Sequence, residues 1–272
     1  MKNILLHMND DAAQPSRMEA ALAIGRALDA HLTCCQAISW SSLVSDAYPI
    51  ALWSGYPMDD LRKESEEAWR AFRDKWETKL AREDVPWTWV RLNVDGPRGL
   101  RQKSALADLT MVSLTDEVMD VLPSKRFLAE VVTSISGPML GIPDSLDRFK
   151  PNGQALVAFD GSEESARALR SSVPLLKAAA RVLLVCVGRD EDGRESLQSA
   201  AKYLGRYGVE AEIDHLVKVG SDSDTILEAA KSVAADLVVM GAYGRPRMAE
   251  MILGGVTQHM LSQRDFPILF HH

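Results

Sequence analysis

The feature that most constrains this chain is a single pattern of elements written twice along its 272 residues. Lys2 to Met8 is a short apolar run ending at Asn9-Asp10, and Gln154 to Phe159 is a similar run ending at Asp160-Gly161-Ser162. A helical pattern follows each, over Ser16 to Ala30 and over Glu163 to Ala180, and then an apolar strand, His31 to Ile38 and Arg181 to Val187. Further on, Ala107 to Val112 is echoed by Ala235 to Met240, and Gly137-Pro138-Met139-Leu140 by Phe266-Pro267-Ile268-Leu269. The echoes come in the same order in both halves, which reads as a tandem duplication.

Each half runs strand, helix, strand, helix, strand, helix, strand, helix, strand. Short β-branched apolar runs alternating with longer helical stretches make βαβ units and a mainly parallel sheet with helices on both faces. Val182 to Val187 is apolar throughout, as a strand covered on both faces must be. Helix Ser223 to Ala234 carries Ile226, Leu227, Ala230 and Val233 at helical spacing, a core-facing stripe. The expected fold class is therefore α/β: two tandem open parallel-sheet sandwiches of five strands each, over residues 1–143 and 154–272. The polar, proline-bounded stretch Pro143 to Gly153 is the expected linker.

Composition narrows the function classes. Apolar residues make up 46% and charged residues 25%, enough for two cores. A net charge of −7 without a basic block argues against a nucleic-acid surface. No stretch reaches the length of a membrane span, and the apolar run at Met1 to His7 is too short for a signal peptide. Cys34, Cys35 and Cys186 lie in strand-like runs without CxxC spacing, which predicts buried, reduced thiols in the cytoplasm rather than disulfides or zinc. Two histidines, His271 and His272, do not by themselves make a metal site. All six tryptophans fall in the first half. Trp69, Phe72 and Trp76 form a helical stripe facing the core, whereas Trp40, Trp53 and Tyr56 lie in a surplus loop-like stretch and are candidates for a pocket or interface.

The segment richest in chemistry is Met240-Gly241-Ala242-Tyr243-Gly244-Arg245, then Pro246 to Leu253, then Gly254-Gly255-Val256-Thr257. It follows directly on a buried strand, and ligands of open α/β sheets sit outside the carboxyl ends of strands. A phosphate there needs close backbone approach, free N–H groups and a helix N-terminus. Gly241 and Gly244 remove side chains, and Gly254 and Gly255 open a helix running through His259 to Leu261. Thr257 offers a hydroxyl and Arg245 a charge. The glycines also have a plain reading, as turns and a helix start.

These residues resemble the universal stress protein family, whose nucleotide-binding members carry Gly-x2-Gly-x9-Gly-Ser/Thr after the fourth strand. Gly241, Gly244 and Gly254 match that spacing, and Asp160-Gly161-Ser162 matches the family's Asp-Gly-Ser. Gly255 stands where the family has Ser or Thr, which keeps the backbone donor and loses a hydroxyl; Val256-Thr257 returns to the pattern. The resemblance implies ATP, ADP or AMP, with Mg2+ as a possible companion, in the second half. It implies that Asp160 approaches the ribose or base and that backbone near Ala158 and Val187 flanks the adenine. Ser162 can cap the next helix and leave Asp160 free for this. The resemblance also implies that the halves pack as an internal pseudo-dimer through their last strands. Phe266 to Phe270 and Pro138 to Ile142 would otherwise be open apolar sheet edges, and antiparallel pairing about a two-fold covers both.

In the first half, Ser113 and Asp116 stand where Gly241 and Gly244 do, Glu117 follows, and Lys125 to Glu130 contains no glycine pair. That site is expected to be lost, filled by side chains and negative charge. No Walker lysine and no pairing of base and nucleophile is visible, and His215 and His259 look isolated, so no catalytic residue is expected and at most weak ATP hydrolysis. The leading expectation is a nucleotide-binding regulatory module in stress response. The alternative is a scaffold, ligand-free or holding an apolar molecule, that meets an unknown protein partner through its tryptophan-bearing half; beside the internal pseudo-dimer, a homodimer of the chain is the further option.

Overall fold

The computed structural model describes residues 1–39, 57–115, 118–119, 122–188, 191–243 and 255–272. The first half comprises β1 (Asn3–His7), α1 (Gln14–Leu28), β2 (His31–Ala37), α2 (Met58–Leu80), β3 (Trp87–Leu92), α3 (Gly96–Ser104), β4 (Leu109–Leu114), a small hairpin of β5 (Val118–Met119) and β6 (Leu122–Pro123), α4 (Ser124–Ser134) and β7 (Met139–Pro143). The second comprises β8 (Gln154–Ala158), α5 (Glu163–Ala178), β9 (Arg181–Val187), α6 (Glu191–Gly205), β10 (Ala211–Leu216), α7 (Asp222–Ser232), β11 (Leu237–Gly241), α8 (Gly255–Ser262) and β12 (Ile268–His271).

Ten of these strands form one sheet in the order β10-β9-β8-β11-β12-β7-β4-β1-β2-β3. Each half thus contributes five strands in the same internal order, all parallel. The two sets meet at β12 and β7, which pair antiparallel with Ile268 opposite Gly141, Leu269 opposite Leu140 and Phe270 opposite Met139. This is the expected junction, and its physical reason is visible: Met139, Leu140, Leu269 and Phe270 have no exposed surface, so neither last strand is left as an apolar edge. Helices reinforce the seam, α1 against α5 on one face and α4 against α8 on the other. Two apolar layers run the length of the sheet. Met18, Ile24, Phe72, Trp76, Leu169 and Leu176 help fill one. Leu100, Phe127, Val131, Ile226 and Met260 help fill the other.

Several helix ends differ from expectation for local reasons. Helix α1 starts at Gln14, two residues early, because Pro15 suits a first turn; it stops where Asp29 turns left-handed at φ 49°. Helix α7 starts at Asp222 because Ser221 and Asp224 form a capping box. Ser162 caps α5 as read from sequence, accepting from the Ser165 N–H at 3.2 Å. In α2, Phe72 and Trp76 are buried as the stripe predicts, but Trp69 is only half-buried and lies under the Arg91 guanidinium at 4.8 Å. The three cysteines are buried thiols outside any disulfide. Among the described residues no helix is long and apolar enough to cross a membrane. Trp40, Trp53 and Tyr56 lie outside the described residues, as do Asp116 and Glu117.

Candidate functional site

Strand order reverses between β8 and β11, because the chain leaves β8 towards β9 on one side and later enters β11 on the other. Such a switch point opens a crevice at the carboxyl ends of the strands. Here it is a cleft of about 750 Å3, walled by the ends of β8, β9 and β11 and by the first turns of α5, α7 and α8, a size that suits a small-molecule ligand. Of the residues selected from sequence, Ala158, Asp160, Val187, Met240, Gly241, Gly255, Val256 and Thr257 all line it. Gly244, Arg245 and Gly254 lie outside the described residues.

The geometry revises three of the roles. Asp160 is not left free by its neighbour: it accepts from the Ser162 hydroxyl at 2.6 Å and from the Ser162 N–H at 3.0 Å. Burial pushes its carboxyl up, but the bonds from Ser162 outweigh that and hold it below the usual carboxylate value, so it faces the cleft as an anion. Gly241 is small for the protein's own sake. A Cβ there would stand 2.6 Å from the Ser165 backbone nitrogen and 2.7 Å from the Glu164 carbonyl carbon, so the glycine lets β11 end against the first turn of α5. Thr257 is buried, and its hydroxyl accepts from the Tyr243 N–H at 3.2 Å, tying the end of β11 to α8; its proton remains to donate into the cleft.

Other lining residues escaped sequence reading. Tyr243 holds φ at 58°, rare for a side chain of its size, with its ring edge-on to His272 at 6.0 Å. Burial pushes its phenol up to about 12. His259 is not isolated: its Nδ1 lies 2.9 Å from Ser223 Oγ and 3.6 Å from the Asp224 carboxylate, both on α7. Lys218 lines the same wall and pairs with Asp222 at 2.8 Å. The only sequence signal for this wall was the Ser-x-x-Asp cap of α7. Among the described residues no three His, Cys, Asp or Glu side chains converge to hold a metal ion.

The same switch point in the first half, between β1 and β4, is occupied by the protein itself. Arg17, from α1, is wholly buried there. Its guanidinium donates to the His7 carbonyl at 2.7 Å, to Gln14 Oε1 at 2.5 Å, to the Ser113 hydroxyl and to the buried Asp11 carboxylate at 3.1 Å. Loss of this site was expected from Ser113, Asp116 and Glu117. Among the described residues the space is instead filled by a cation, with Ser113 as one of its acceptors. His7 beside it is also buried; desolvation, then Arg17, keeps its imidazole neutral.

Residues 152–271 match the model of the Universal stress protein family. Over 146 residues the chain is 28% identical to a universal stress protein of Synechocystis sp., an alignment covering 52% of this chain and 49% of that protein. Over 142 residues it is 28% identical to the universal stress protein YxiE of Bacillus subtilis, covering 42% of this chain and 95% of YxiE. The chain spans about half the length of the Synechocystis relative and of two matching universal stress proteins of Methanocaldococcus jannaschii. A universal stress protein from Archaeoglobus fulgidus superposes on nearly the whole chain, with a TM-score of 0.73 at 17% identity, covering 99% of this chain and 97% of that one. At that identity the likeness is one of fold.

Proposed function

Since residues 152–271 match the Universal stress protein family, we propose that the chain is a nucleotide-binding regulatory module of that family, which holds one adenine nucleotide in the cleft of its second half. The observation that carries this reading is the convergence of Ala158, Asp160, Val187, Met240, Gly241, Gly255, Val256 and Thr257 on one cleft of about 750 Å3. In this reading the base lies against the ends of β8 and β9, and the Asp160 carboxylate accepts from ribose hydroxyls. Phosphates meet the first turn of α8, where unpaired N–H groups and the helix dipole favour an anion. Gly244, Arg245 and Gly254 complete the phosphate loop. The described lining supplies no carboxylate set for Mg2+, so a metal ion accompanying ATP is held mainly by the phosphates.

The reading divides the chain into a ligand-binding unit, residues 154–272, and a first unit, residues 1–143, whose equivalent space is taken by Arg17. Buried thiols outside any disulfide fit a cytoplasmic protein. Native mass spectrometry of the purified protein, followed by calorimetric titration with ATP and AMP, tests it. One adenine nucleotide per chain is expected. Two equivalent sites, or no binding of either nucleotide, would refute it.

A further inference from the structure

The α7 wall of the cleft carries a chain of hydrogen bonds whose donors all point the same way. Asp224 Oδ2 accepts from Ser221 Oγ at 2.6 Å and from the Ser221 N–H at 3.1 Å. A serine hydroxyl has one proton, and Ser221 spends its proton on that carboxylate. In the 2.9 Å contact between the two hydroxyls, Ser223 is therefore the donor. Ser223 has then spent its own proton, so in its 2.9 Å contact with His259 Nδ1 the serine accepts and the imidazole donates. Nδ1 carries the hydrogen, and Nε2, across the ring, is left with a lone pair. Bonds from Ser221 hold the Asp224 carboxyl below its ordinary value, so the far end of the chain is an anion.

The His259 side chain is about half exposed, at 47%, and lines the cleft. It sits four residues after Gly255, on the same face of α8. Helical side chains lean towards the N-terminus of their helix, which carries this ring towards the turn where an anion is favoured.

We propose that His259 is a proton-linked ligand contact: when a phosphorylated nucleotide enters the cleft, Nε2 takes up one proton from solvent. The resulting imidazolium faces the phosphate on one side and, through Ser223 and Ser221, the Asp224 carboxylate on the other. This rests on the nucleotide reading of the cleft. Other charged groups on the lining are Asp222 and Lys218 on the α7 side and Asp160 and Glu164 across the cleft. The carboxylates favour the imidazolium and Lys218 opposes it. Helix α4, also packed on α8, belongs to the same apolar layer through Leu128, Val131 and Val132. Affinity for phosphorylated ligands should rise as pH falls, by at most ~10-fold per pH unit for one linked proton.

The test is calorimetric titration of wild type, His259→Gln and Ser223→Ala with ATP, AMP and adenosine, each in buffers of different ionisation enthalpy at pH 7. The dependence of heat on buffer gives the protons taken up. Wild type should take up more than His259→Gln with ATP and AMP, and no more with adenosine. Ser223→Ala, which keeps the imidazole but removes the hydroxyl that accepts from its Nδ1, should fall between them. Equal proton uptake by wild type and His259→Gln, when both bind nucleotide, overturns the inference while leaving nucleotide binding intact. An excess that adenosine reproduces also overturns it. Failure of wild type to bind any nucleotide removes both readings together.

Discussion

Gly241 and Gly255 belong to one glycine-rich motif, yet their surroundings predict opposite responses to the same change. A Cβ at Gly241 meets backbone, the Ser165 nitrogen at 2.6 Å and the Glu164 carbonyl carbon at 2.7 Å, and also the Glu164 Cβ at 2.9 Å. None of these is the far end of a flexible chain, so relief requires β11 to move away from the first turn of α5. Overpacking of this kind costs about 1–3 kcal/mol. Gly255 opens α8, and a Cβ there finds no atom of a described residue within 4 Å. Replacing glycine by alanine in a helix gains roughly 0.5–1 kcal/mol. Urea unfolding of Gly241→Ala and Gly255→Ala, followed by circular dichroism, should therefore show one variant weakened and the other unchanged or strengthened. For a chain of this size, each kcal/mol moves Tm by about 2–4 °C, so Gly241→Ala should melt some ~2–12 °C below wild type. Equal stability of wild type and Gly241→Ala would refute the packing role and return Gly241 to the ligand.

Further outcomes follow from the same contacts. Arg17→Leu leaves the Asp11 carboxylate buried without its partner, 4% exposed, and should cost about 3–5 kcal/mol; adding Asp11→Leu should recover much of it, as urea titration of both variants will report. Thr257→Ala removes the acceptor of the Tyr243 N–H and should weaken both nucleotide binding and stability by about 0.5–1.5 kcal/mol, measured by calorimetry and thermal melts. Gly255→Ser restores the hydroxyl that the family carries at this position and should tighten ATP binding by a similar amount, read in the same titration. Ending the chain before Phe266 removes β12 and should raise amide exchange in β7 as well as in β11, since β12 pairs with both; unchanged protection of Met139 to Ile142 would refute the shared sheet.

How much of this was legible in the sequence depends on the range of the interactions. Period and order are local signals, so the two five-strand units could be read directly, whereas the antiparallel seam at Phe266 to Phe270 and Pro138 to Ile142 came from the family resemblance, supported by the apolar character of both segments. Motif spacing is also local, and the eight described motif residues do share one cleft. What could not be read are contacts whose partners lie far apart along the chain. Ser223 and His259 are separated by 36 residues, and a lone histidine gives no hint that two serines and an aspartate stand behind it. Gly241 presents a subtler case. The glycine signal was correct that backbone approaches closely, but sequence could not say whose backbone it was, and the answer is α5.

Arg17 shows why a space filled from within is harder to read in a sequence than one lined by small residues. A binding site advertises itself by small residues at fixed spacing, because a ligand must fit. A site filled from within needs only one long side chain and enough acceptors, and these come from β1, α1, β4 and the turn after β1. None of Arg17, Asp11, Gln14 or Ser113 belongs to a motif. Yet together they meet the physical demands of the first half's switch point: Arg17 lies wholly buried there and each of its hydrogen bonds among the described residues goes to oxygen. A buried guanidinium is tolerable only when paired and hydrogen-bonded. Asp11 and the acceptors around it therefore satisfy the guanidinium at the first half's switch point from within the protein, while the second half has a cleft there, with the polar chain from His259 to Asp224 along one wall.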